Sequence, residues 1–272
     1  MRLADEAPIH TQDVQAVDVV VLTKNSEKTL ALCLDAIERS VNLSSLIIID
    51  GGSEDKTLAI ASGRTPAVQV LPSLNVGQAR DYALDLIHTE TFAFVDSDVV
   101  VNRQSFLKSV QMLSRDVFVA AVTNAMIPAD SRLRKPTERP NRPNYLTFGF
   151  VLLRTSALRR CRIPGIPWGE DGRTGKRLEK LGFNWLIQNE FYCRHLITMQ
   201  EHWYHALRYA RLGYPWIKPK KIPLLMVKDV VKIGFPLGDS RRPSLNNLVF
   251  CGFVLLGLLE RLVKGERPLS FR

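Results

Sequence analysis

Short β-branched runs alternate along this chain with segments whose apolar positions recur every third or fourth residue. Val17–Leu22 (VDVVVL) has the length and branching of a buried strand. Leu30, Leu34, Ile37 and Val41 follow at helical spacing, with Asn25 or Ser26 placed to cap that helix. LSSLIIIDGGSEDKTLAIAS repeats the plan as strand, two-glycine turn and helix. Val68–Leu71 predicts a third strand, NVGQARDYALDLIHT a third helix and FAFVD a fourth strand. Further on, EDGRTGKRLEKLG predicts a helix ending at Gly182, and NEFYC reads as a strand. Strands that alternate with helices at this spacing build βαβ units. The expected fold is α/β: a Rossmann-like, mostly parallel sheet with helices on both faces. The Pro- and Arg-rich stretch 128–143 is expected to be a mobile loop.

In such a sheet, ligands sit outside the carboxyl ends of the strands. Thr23, Asp50 and Asp96 each stand just past a predicted strand end. Asp96 and Asp98 flank Ser97, and residues two apart on an extended chain point to one side. Two carboxylates held together repel unless a cation neutralises them. Mg²⁺ or Mn²⁺ suits oxygen ligands and takes the rest of its shell from water and phosphates. The alternative is that one aspartate caps a helix starting near Asn102 and the other is solvated.

The chain has 272 residues, 46% hydrophobic and 24% charged, enough for one sizeable core with an appendage. We expect a catalytic domain over 1–215 and a basic, apolar helical segment over 216–272. Cys33, Cys161, Cys193 and Cys251 form no Cys-x-x-Cys pair, which points to a reduced compartment without structural zinc. The polar opening residues hold no signal-peptide core, so a cytoplasmic location is expected.

The formal net charge is +10. Residues 216–272 hold eleven Lys or Arg against four Asp or Glu, and 131–144 hold five against one. Such surfaces attract anionic lipid, phosphorylated substrates or nucleic acid, although no nucleic-acid module accompanies the charge. Leu245–Leu259 is uncharged but only fifteen residues long, where a spanning helix needs about 20. With Arg241, Arg242, Arg261 and Lys264 at its flanks, it fits an interfacial or re-entrant helix on the cytoplasmic leaflet, and the protein would be peripheral there. The alternative is a helix packed on the catalytic domain or at a homodimer interface.

VVVLTKNSEKTLALCLDAI, LIIIDGGSEDKT, LNVGQARDYAL, FAFVDSDVVV and WGEDGRTGKRLEKLGF follow in the order and spacing of family 2 glycosyltransferases of the GT-A fold, a resemblance covering roughly 17–215. It implies an inverting transfer of sugar from a UDP-, GDP- or dTDP-sugar to an acceptor hydroxyl, aided by Mn²⁺ or Mg²⁺. Thr23 and Asp50 match nucleoside contacts, and Gly51 stands where the family usually has a second aspartate. Arg80 matches a donor-side arginine, its alternative being an exposed helix ion pair with Asp81 or another neighbour. Asp96 and Asp98 match the metal-binding pair, Asp171 the base, and Glu170 a neighbour that orients acceptor or base. As plain structure, Glu170 and Asp171 would be first-turn helix acids, and Asp55 reads as one. Trp168 either lines the pocket or packs in the core. His195 is the best placed of three histidines to reach the metal, and His202 and His205 share a helix face.

A lipid-linked or glycan acceptor would suit the basic, apolar C-terminus. A polyprenyl-phosphate sugar synthase would share the fold and differ only in the acceptor. A nucleotidyltransferase would carry a glycine-rich loop after the first strand, where this chain has TKNSEK. A non-catalytic nucleotide-sugar-binding protein would not need Asp171.

Overall fold

The computed structural model describes residues 15–129 and 146–197, together with Leu256, Leu259 and Val263. Strand β1 (Val17–Thr23) leads to α1 (Leu30–Ser40), β2 (Leu43–Asp50), α2 (Thr57–Ser62) and β3 (Val68–Val70). Then come α3 (Val76–Ala83), β4 (Thr91–Asp96), β5 (Val99–Val100), α4 (Arg103–Ser114) and β6 (Val119–Pro128). The unit closes with β7 (Phe150–Arg154), α5 (Thr155–Cys161), α6 (Glu170–Lys180) and β8 (Asn184–His195).

The eight strands form one sheet in the order β3-β2-β1-β4-β7-β6-β8-β5. The N-terminal four are parallel, as the βαβ pattern predicts. Beyond β4 the sheet is mixed: β7 runs antiparallel to β4 and β6, and β5 antiparallel to β8. Both faces are covered. Val19, Val21, Ala93 and Val95 face Leu30, Leu34, Ile37 and Phe106 of α1 and α4. Val20, Phe92 and Phe94 face Ala79, Ala83, Leu158 and Leu178 of α3, α5 and α6. This two-sided burial is why the strands read as continuous apolar runs.

Two helix boundaries differ from the sequence reading. Helix α1 starts at Leu30, capped at Thr29 without a side-chain bond, and neither Asn25 nor Ser26 caps it. Asn25 takes a positive φ of 51° and its Oδ1 accepts from the Glu54 amide instead. Helix α3 ends at Ala83, and tight i→i−3 bonds at Leu84, Asp85 and Leu86 replace the rest of the expected helix.

Buried Asp18, in β1, accepts from the His88 and Thr89 amides and the Ser45 hydroxyl. Burial alone would raise its pKa; these bonds outweigh it and hold the carboxyl below its ordinary range.

The chain divides into compact units at Met1–Leu196 and Ile197–Arg272, whereas the sequence reading sets its boundary after 215. In the second unit Leu256, Leu259 and Val263 are helical and exposed. Among the described residues no helix is long and apolar enough to cross a membrane. The basic stretch 131–144, His202, His205 and most of the C-terminal segment lie outside the described residues.

Candidate active site

Register brings three of the singled-out residues to one end of the sheet: Thr23 pairs with Asp50, and Leu22 with Asp96. Asp50 is fully buried and holds its own turn. Its Oδ1 accepts from the Gly52 and Ser53 amides at 2.8 and 2.7 Å, and its Oδ2 from Ser53 Oγ at 2.5 Å. Gly52 has φ +80°, and a Cβ there would lie 2.8 Å from Pro72 Cβ, so the turn requires glycine. The Ser26 amide donates to Thr57 Oγ1 and the Glu27 amide to Asp55 Oδ2, tying the loop after β1 to the loop after β2. Asp55 thus serves as a tie between loops as well as an acid near the start of α2. Thr23 Oγ1 is buried without a hydrogen-bond partner.

At the end of β4, Ser97 turns aside and its hydroxyl meets Ser26 Oγ at 2.9 Å. Asp96 Oδ1 accepts from Arg80 Nη2 at 2.6 Å, and its side chain is 37% exposed. Asp98 Oδ1 is buried with no hydrogen bond, and His195 Nε2 stands 3.3 Å from it. His195 arrives there because Val99 pairs with it across β5 and β8.

That arrival depends on an irregularity in β8: Asn124 pairs with Gln188, yet Met126 already pairs with Cys193. The buried Gln188 side chain spans the extra residues. Its Oε1 accepts from the Glu190 and Phe191 amides, and its Nε2 donates to Asn124 Oδ1 and Phe191 O. The sequence reading passed over Gln188, since nothing local marks an amide inside a strand as the pin of a bulge.

Among the described residues no three His, Cys, Asp or Glu side chains form a ready metal cluster. The donor set still fits a hard divalent cation. Asp98 Oδ1 is an unpartnered buried oxygen beside an imidazole, and Asp96 has a second oxygen outside its pair with Arg80. Such ions take few protein ligands and complete their shell from water and phosphate. Asp98, Asp96 and His195 are the residues that would hold one.

Helix α3 carries Arg80. Asn75 caps it with a full capping box, and the Asn75 Nδ2 also donates to Gly165 O. A Cβ at Gly77 would collide with Pro164 O and lie 2.6 Å from Ile166 O, so glycine allows α3 to press against 164–166. Gly77→Ala should cost about 1–3 kcal/mol through this overpacking, read as a lowered denaturant midpoint. An unchanged midpoint would show that the contact does not constrain the fold.

Arg80 is 5% exposed. It does not form the exposed pair with Asp81 weighed from sequence, because Asp81 pairs with Arg162 at 3.0 Å. Arg80 Nη1 donates to Glu170 Oε1, and Nη2 donates to Asp96. Its Cζ lies 5.8 and 5.1 Å from the centroids of Phe94 and Phe148, rings that are themselves 5.4 Å apart. Both rings thus lie within cation–π reach of the guanidinium, tilted 43° to each other. A signal for this burial existed in the sequence: Gly77, Arg80 and Leu84 share helical spacing with the apolar stripe of α3.

Helix α6 starts after Gly169, a left-handed N-cap at φ 73°. Glu170 is 4% exposed, and Thr174 Oγ1 donates to its carbonyl. Asp171 Oδ1 accepts from the Gly172 amide at 2.6 Å. Burial and then the charge of Glu170 push the Asp171 carboxyl up to about 7, against the pull of the Gly172 amide and Arg80. Trp168, two residues before Glu170, is partly buried.

Residues 18–163, more than half of the chain, match the family model described as Glycosyl transferase family 2. No curated protein sequence matches the chain. Among solved structures, the mannosyltransferase PcManGT of Pyrobaculum calidifontis, in complex with GDP-Man and Mn²⁺, superposes with a TM-score of 0.58 at 17% identity, covering 93% of this chain and 76% of that one. Glucosyl-3-phosphoglycerate synthase of Mycobacterium tuberculosis, with Mn²⁺, UDP and phosphoglyceric acid, gives 0.55 at 20% identity over 73% and 76%. S. aureus TarS 1-349 gives 0.52 at 18% identity over 93% and 83%. At these identities the likeness is one of fold, the GT-A fold that the five motifs imply. The family match, which runs from β1 through α5, makes this chain a member of glycosyl transferase family 2 and a glycosyltransferase.

Proposed function

We propose that the protein transfers a sugar, with inversion, from a nucleoside-diphosphate sugar to an acceptor hydroxyl, and that Asp171 is the base. The observation that carries this reading is a carboxyl lifted to about 7 at the start of α6, linked through Glu170 and Arg80 to Asp96. A general base works best when its pKa lies near the working pH, because it is then both ionised and proton-accepting. Asp171 would take the acceptor proton as the hydroxyl attacks the anomeric carbon. Glu170, tied to Arg80, would keep Asp171 in place.

A divalent cation at Asp98, Asp96 and His195 would stabilise charge on the leaving diphosphate. The Mn²⁺ in the PcManGT and glucosyl-3-phosphoglycerate synthase structures supports this assignment. Thr23 would offer its unpartnered hydroxyl to the nucleoside. Asp50 would shape the pocket through the turn it holds and offer its remaining lone pairs to a base N–H.

We further propose a lipid-linked or glycan acceptor and a peripheral site on an anionic cytoplasmic membrane face. Support comes from the basic excess of 216–272 and from the exposed helical Leu256, Leu259 and Val263. The test is calorimetric titration of UDP, GDP and dTDP, each with Mn²⁺ and again with EDTA. Tight binding of one nucleotide, lost in EDTA, is expected. Metal-independent behaviour toward all three would overturn the cation assignment.

A further inference from the structure

We propose that Arg80 is a positioning residue that joins the cation end of the site to its base end, rather than a contact to the donor. The inference rests on the proposed function for the roles of Asp96 and Asp171, but its own ground is the geometry of one side chain. The two Nη groups of Arg80 face different carboxylates, from β4 and from the first turn of α6. Those partners lie 16 and 90 residues away in sequence, so the guanidinium spans elements that nothing local connects. Phe94 and Phe148 pack against it, and Phe94 belongs to the same strand as Asp96. Arg80 Nε has no partner, so the carboxylates and rings, not a backbone carbonyl, set the plane of the group.

The consequence for Asp96 is directional. With Oδ1 bound to Arg80, the carboxylate is held in one orientation, and its other oxygen is left outside that pair. The consequence for α6 is an anchor on its first residue, next to Asp171. Three carboxylates, Asp96, Glu170 and Asp171, act on this one buried guanidinium. A cation that draws on Asp96 weakens its pull on Arg80 and thereby tightens the hold of Arg80 on Glu170. Lysine cannot replace it, because a single ammonium lacks the planar fork that bridges two carboxylates.

The experiment compares full-length wild type, Arg80→Lys and Arg80→Met by calorimetry with UDP and GDP, in Mn²⁺ and in EDTA. Mn²⁺ alone is followed by the loss of free-ion signal in electron paramagnetic resonance. Both variants should bind Mn²⁺ and the Mn²⁺–nucleotide at least tenfold more weakly, with nucleotide affinity in EDTA unchanged. Hydrogen exchange supplies the second readout: Mn²⁺ with nucleotide should slow exchange over 170–177 in wild type and not in Arg80→Lys. Arg80→Lys keeps the charge, so it serves where Arg80→Met fails to fold.

Equal losses in Mn²⁺ and EDTA would make Arg80 a donor contact and overturn the proposal. So would wild-type Mn²⁺ affinity in Arg80→Lys, or exchange over 170–177 that ignores the ligand in wild type. Absence of metal-dependent binding in wild type itself would remove the proposed function first, and this inference with it.

Discussion

Asp171→Asn is expected to lower the transfer rate by about 10²–10⁴-fold, the usual contribution of a general base. Nucleotide binding with Mn²⁺ should stay near wild type, since Asp171 stands at the base end of the site. In wild type, kcat/KM should rise with pH and level off above about 7, where the carboxyl is ionised. The same substitution should stabilise the fold at high pH. The carboxyl titrates about 7 in the folded chain against 3.8 as the ordinary value, so the folded state holds its proton more tightly. Its contribution to stability is full below pH 3.8, declines as pH rises toward 7, and is a constant cost above that. The cost is on the order of 2 kcal/mol, because relaxation and the coupled Glu170 reduce the value set by the full shift. Asn carries no charge to bury, so the melting temperature of Asp171→Asn should exceed wild type at pH 8 and match it near pH 4. Full transfer activity in the variant would remove Asp171 as base. A pH-independent difference in melting temperature would remove the burial argument.

Asp98→Ala should weaken Mn²⁺-dependent nucleotide binding on the order of 100-fold or more, since loss of a mere supporting partner already costs 10–100-fold. Folding should be little affected. Asp98 Oδ1 accepts no hydrogen bond, so its removal orphans no donor beyond the His195 contact. The two effects separate a ligand from a structural residue: calorimetry in Mn²⁺ should change greatly, and a thermal melt in EDTA should change little. Mn²⁺-dependent affinity like that of wild type would end the assignment of Asp98 to the cation.

The two substitutions probe opposite ends of a site whose parts differed in how readable they were. The strand-end residues were legible because a parallel sheet buried on both faces leaves continuous apolar runs. The first polar residue after each run then falls at the ligand end. Thr23, Asp50 and Asp96 are of this kind, and so is the turn away of Ser97, which follows from the two-residue repeat of extended chain. Asp171 was legible as a helix-start acid. Its elevated pKa was not, because burial and the Glu170 charge come from packing.

Helix starts were less legible. Asn25 and Ser26 have the chemistry of N-caps, but Asn25 Oδ1 accepts from the Glu54 amide and Ser26 Oγ meets Ser97 Oγ, and those partners win. Likewise α3 stops at Ala83 although its pattern continues, because the chain must turn there into β4.

By itself, then, the sequence determined the parallel half of the sheet and the gathering of Thr23, Asp50 and Asp96 at one end of it. Those features are written in local periodicity and in short spacings along one strand or helix. The tertiary structure alone decided the antiparallel half beyond β4, the Gln188 bulge that delivers His195 to Asp98, and the place of Arg80 between Asp96 and Glu170. Each of these is set by contacts between residues far apart in the chain, whose energy depends on burial and on partners that no local pattern encodes.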